Sequence, residues 1–106
     1  MAETVEFASN GNTASGYLVR PPSGSGPGVV VVQEWWGLDP SIKQTADRIG
    51  AAGFVALVPD LFHGEIAEHT EMDKAAQLLA QLPADRAARD MSGAVDFLAG
   101  QDAVTG

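Results

Sequence analysis

The 106-residue chain contains no cysteine, so these residues supply no disulfide, no thiolate nucleophile and no thiolate-bound metal. Basic residues are scarce: six Lys and Arg stand against 14 Asp and Glu, for a formal net charge of −8. Such a surface repels phosphate backbones and anionic headgroups, which argues against nucleic-acid and anionic-membrane partners. Apolar runs are short. Val29–Val32 and Phe54–Val58 fall far below the ~20 residues that cross a bilayer. The opening "MAETVEFASNG" is acidic and lacks the apolar core of a signal peptide, so a cytoplasmic protein is expected. No serine stands in a G-x-S-x-G frame: Ser9, Ser15, Ser23, Ser25, Ser41 and Ser92 all lack the flanking glycines. What is present is a globular composition, 45% hydrophobic and 19% charged, in a length suited to a single domain over residues 1–106.

Residues 4–8 alternate apolar and polar, with Val5 and Phe7 on one face. Asn10-Gly11 is a tight-turn signal, and 14–20 can return as the second strand of a hairpin. "PPSGSGPG", 21–28, reads as a surface connector. Val29–Val32 and "FVALV", 54–58, show no alternation, which predicts strands covered on both faces. Between them Asp39 caps a helix with Pro40 at its first position, Ile42, Ala46, Ile49 and Ala52 form its apolar face, and Gly53 closes it. Residues 29–58 are therefore a strand–helix–strand unit with parallel strands. Thr70 and Asp73 predict the cap of a short helix that ends near Leu82, before Pro83. A longer helix follows at 84–100, with Ala87, Met91, Val95 and Leu98 as its buried stripe.

Ligand sites in open α/β sheets gather at the carboxyl ends of strands, which draws attention to Glu34 and to the loop 60–69. Glu34 leaves an apolar strand next to Trp35 and Trp36. A solvated loop carboxylate is the plain alternative, but a carboxylate in a partly apolar cleft can act as acid, base or orienting group. One tryptophan is expected to pack inward while the other lines a cleft, and the backbone amides of the turn can face an oxyanion. Asp60 is read as a turn carboxylate. His63 and His69 lack the convergent partners of a metal site. The alternating glycines Gly24, Gly26 and Gly28 neither follow a strand nor open a helix, so no nucleotide site is assigned to them.

"GPGVVVVQEWWGLDPSIKQTADRIGAAGFVALVPDLFHG", residues 26–64, resembles the dienelactone hydrolase family of α/β-hydrolases in motif and spacing. The shared pattern is an apolar strand, Gln-Glu, two bulky residues and Gly, then a helix, Gly-Phe, a second apolar strand and Pro-Asp-Leu-Phe. The resemblance implies an α/β fold that begins with a β-hairpin, has sheet order 1-2-4-3, and is truncated before the nucleophile strand. It also implies a hydrolase of small ester or lactone substrates, of carboxymethylenebutenolidase type, whose nucleophile (Cys or Ser) lies outside this chain. In that family the residue matching Glu34 activates the nucleophile, and the amide matching Trp35 contributes to the oxyanion hole. Trp36, Phe62 and His63 are expected to line the substrate pocket, with no metal and no cofactor. The alternative is a non-catalytic fragment or stand-alone interaction domain. Because the missing strand would pair with 29–33, the exposed edge of that strand is expected to drive self-association.

Overall fold

A computed structural model describes residues 2–9, 12–33, 37–68, 71–82 and 84–106. Alternation shapes the first strand, β1 (Ala2–Ser9): Phe7 and Ser9 are buried on one face, with Val5 half-buried beside them. β1 pairs antiparallel with β2 (Asn12–Val19), Ser9 opposite Asn12. The expected Asn10-Gly11 turn lies outside the described residues. β3 (Gly28–Val30) leads towards helix α1 (Pro40–Ala51), and β4 (Val55–Pro59) returns parallel to β3. Helices α2 (Met72–Gln81) and α3 (Ala84–Ala99) follow. The sheet order is β1-β2-β4-β3, as the sequence pattern implied.

Helices cover both faces of this sheet. On one, Ile42 and Ala46 of α1 pack against Val19, Ala56 and Val58. On the other, Ala94 and Leu98 of α3 pack against Phe7, Ala14, Leu18, Val55 and Leu57. Asp39 caps α1 through a bond from the Ile42 amide, 3.1 Å, with Pro40 at the first turn. Gly53 closes it at φ +108°.

Three expectations change. First, β4 is buried throughout, whereas β3 is short, its valines half-buried, and Val32 is 55% exposed. β3 lies at the sheet edge, so only one flank is covered by β4. Its edge is nevertheless not wholly open: a parallel bridge joins Gly26 to Val104, and Gly28 donates to the Gly106 carbonyl at 2.8 Å. Second, the 21–28 connector is more than a surface loop. Gly26 is buried, and a Cβ there would lie 2.0 Å from the Gly53 carbonyl oxygen. Third, the buried stripe of α3 runs through Asp90, Gly93, Ala94 and Leu98, while Val95 is 55% exposed. The helix is turned this way because Gly93 sits directly on β1, where a Cβ would meet the Ala8 carbonyl oxygen at 2.4 Å. The N-cap of α2 is Glu71, whose side chain makes no cap bond to the helix; Thr70 lies outside the described residues.

Gly93→Ala supplies the test of this contact. Alanine is intrinsically the better helix former by about 1 kcal/mol. Here the clash with β1 backbone outweighs that gain, and urea denaturation should show a net loss of about 1–3 kcal/mol.

Candidate functional site

β1, β3 and β4 run in the same direction, so their carboxyl ends open at one end of the sheet. There Gln33 joins the exits of β3 and β4, its Oε1 accepting from the Leu61 amide at 2.9 Å. Gly37 stands on the other side of residues 34–36 in sequence. It is buried at φ +86°, and a Cβ would lie 2.6 Å from the Glu65 carbonyl oxygen and 3.2 Å from Phe62 Cδ2. Both the backbone angle and the space therefore require glycine. Glu34, Trp35 and Trp36 themselves, like His69, lie outside the described residues. Phe62 is buried against this Gly37 turn.

The loop after β4 is fastened at several points. The Asp60 amide donates to the Ser15 carbonyl, and Asp60 Oδ2 accepts from the Gly64 amide, each at 2.8 Å. This is the turn role read from the sequence. Asp60 Oδ1 is buried with no hydrogen-bond partner among the described residues. Arg86 of α3 donates through Nη2 to the Leu61 carbonyl at 3.1 Å. His63 has φ +50°, the left-handed region that non-glycine residues seldom occupy. Its Nε2 lies 2.6 Å from Asp90 Oδ2, and Asp90 Oδ1 accepts from Ser9 Oγ at 2.6 Å. Asp90 and Ser9 are each 1% exposed. A carboxylate this deeply buried is tolerated because both of its oxygens are bonded.

This trio is not a serine-hydrolase relay. The carboxylate sits between the hydroxyl and the imidazole, so the histidine takes no proton from Ser9. Its chemistry is positional: it ties the β4 exit to β1 and α3. Among the described residues no three metal-ligating side chains converge. His63 faces a pocket of about 290 Å³ shared with Ser9, Thr13, Arg86, Arg89 and Asp90. The sequence reading did not single out Ser9, Gln33 or Asp90. Ser9 carried a usable signal, since it is polar on a strand face that its spacing, two residues after Phe7, marks as buried; Asp90 did not, because the apolar spacing of α3 points to Val95 instead.

The parallel β3–α1–β4 unit, the hairpin beside it and the glycine turn after β3 define the N-terminal part of an α/β-hydrolase fold. The model of the dienelactone hydrolase family matches residues 14–106. Similar proteins include "Protein usf" of Aquifex pyrophilus, 38% identical over 104 residues, covering 92% of this chain and 44% of that protein. "Carboxymethylenebutenolidase 1" of Cupriavidus pinatubonensis is 29% identical over 106 residues, covering 92% of this chain and 45% of its own length. The solved structure "m3DLH" superposes with a TM-score of 0.79 at 26% identity, over 100% of this chain and 45% of that one. The chain belongs to the dienelactone hydrolase family, and it spans less than half the length of these relatives. No helix among the described residues is long and apolar enough to cross a membrane.

Asp90→Ala should cost about 2–3 kcal/mol in urea denaturation, because it strands the buried Ser9 hydroxyl and releases His63. In a Ser9→Ala background the same substitution should cost measurably less, since no buried hydroxyl is then left without an acceptor. Additive losses would show that the two side chains are not coupled.

Proposed function

We propose that these residues form the N-terminal part of a hydrolase of small esters or lactones, of the carboxymethylenebutenolidase type, whose nucleophile lies outside the 106 residues. The observation that carries this reading is the family match over residues 14–106. The strand-exit geometry supports it: Gln33 is bonded to Leu61 before residues 34–36, and Gly37 is seated on Phe62 after them. In this reading Glu34 contacts the resting nucleophile and favours its reactive anion. The Trp35 amide donates to the oxyanion as the carbonyl becomes tetrahedral. Trp36 bounds the substrate with Phe62, which backs the Gly37 turn, and His63 fixes the loop carrying that wall. Attack forms an acyl-enzyme, which water then hydrolyses; chemistry of this kind calls for no cofactor. The protein is proposed to work in the cytoplasm.

Glu34→Gln in the hydrolase that contains these residues should lower kcat/KM for small aryl esters by about 100-fold with the fold intact. An unchanged rate would remove Glu34 from the mechanism.

A second reading, self-association through the β3 edge, is favoured by the apolar groove there. Val30, Val95, Leu98 and Val104 line it, and Val95, like nearby Val32, is 55% exposed. Light scattering on the purified 106-residue chain should then report a dimer or larger species. A monomer that melts cooperatively would overturn this second reading.

A further inference from the structure

The pocket lined by Ser9, Thr13, His63, Arg86, Arg89 and Asp90 lies between the end of β1, the start of β2 and the first half of α3. β1 is three strand steps from β3, or about 14 Å at ordinary strand spacing. The β1 side of the pocket is therefore remote from the β3 exit, while its Arg86 side adjoins that exit through Leu61, which is bonded to both Arg86 and Gln33.

Its charge is unlike that of the rest of the chain. Two of the six Lys and Arg residues line it, although the formal net charge is −8. Arg86 and Arg89 are three residues apart on one helix and so share a face. The Nε–H group of each is buried and has no acceptor among the described residues. A buried N–H without an acceptor is costly, and a ligand oxygen reached by a small turn of the side chain would satisfy it. The pocket's own carboxylate does not fill this role, because both oxygens of Asp90 are engaged, one by Ser9 and the other by His63. Asp85 holds Arg89 Nη2 at 3.4 Å from an exposed position on the same helix, and Glu6 and Asp96 line the adjoining pockets. The Thr13 hydroxyl adds a neutral donor to the lining. At about 290 Å³ the space is at the small end of ligand pockets, which run from about 300 to 1,000 Å³.

We propose that this pocket is a binding site for a small doubly charged oxyanion of the phosphate class, held by the Arg86 and Arg89 guanidinium groups. The two arginines offer donors in the fork geometry that matches phosphate oxygens. Asp85 and Asp90 offset the pair in formal charge, so recognition rests on the geometry of the donors and not on a net positive charge. This inference does not rest on the hydrolytic reading.

The test is calorimetric titration of the whole chain with inorganic phosphate at about pH 7.5, where phosphate is largely dianionic, with ionic strength held constant by chloride. A saturable single-site isotherm is expected. Arg89→Gln should weaken it about tenfold, with unchanged circular dichroism. Acetate should bind about tenfold more weakly than phosphate, since it brings one charge instead of two. Arg86→Gln also removes the bond to the Leu61 carbonyl; if that variant does not fold, Arg89→Gln alone decides. Heats that never saturate, or the same affinity in Arg89→Gln as in the parent chain, would overturn the proposal. Equal affinity for acetate would overturn the assignment of a dianion.

Discussion

The Asp90 carboxylate, buried between Ser9 and His63, is the contact on which the functional end of the molecule depends. It joins three elements at one point, the end of β1, the loop after β4 and the first half of α3, where the Arg86–Leu61 bond reinforces it. Burying such a group is unfavourable unless its oxygens are satisfied, so the helix is held to an orientation in which Asp90, and not a neighbouring alanine, faces the sheet. Gly93 permits that orientation by letting α3 lie directly on the Ala8 carbonyl. The cost falls on Val95, which is left 55% exposed. The same contact accounts for the unusual backbone of His63. A left-handed histidine persists where its surroundings over-determine it, and here the ring is fixed by Asp90 while Gly64 next to it is tied to Asp60.

Much of this architecture was legible in the sequence because it rests on local rules. Asp39-Pro40 marked the start of α1, Gly53 its end, and the unalternated run at 54–58 a strand buried on both faces; all three depend on short-range chemistry that a few residues carry. The sheet order came from the family pattern. What could not be read was the set of long-range polar contacts. Ser9 and Asp90 are 81 residues apart, and nothing in their neighbourhoods marks them as partners. The stripe on α3 was misassigned for a related reason. A hydrophobicity pattern places Val95 inside and Asp90 outside, and only the contact with β1 reverses them. For β3, sequence character and position disagree: the valines are fit for burial on both sides, yet the strand sits at the sheet edge with β4 on one flank. Glu34, Trp35 and Trp36, which carry most of the functional reading, rest on their place after an apolar strand and on the family pattern.

The edge of β3 also shows how the fold propagates. Gly26 and Gly28 accept a parallel segment at 103–106, and both are positions where a side chain would intrude: on the Gly53 carbonyl in one case, and within 3.0 Å of Val104 Cγ1 in the other. Glycines that look like filler in a connector are thus the residues that let backbone approach backbone on either side of the strand.

Charge sets a last constraint. An acidic chain disfavours the approach of anions from a distance, and that long-range field weakens as salt is added. A pair of arginines inside a pocket acts differently, because its donors work at contact distance and are poorly screened where water is excluded. Recognition of an anion by this chain would therefore be governed by the lifetime of the complex more than by the rate of encounter.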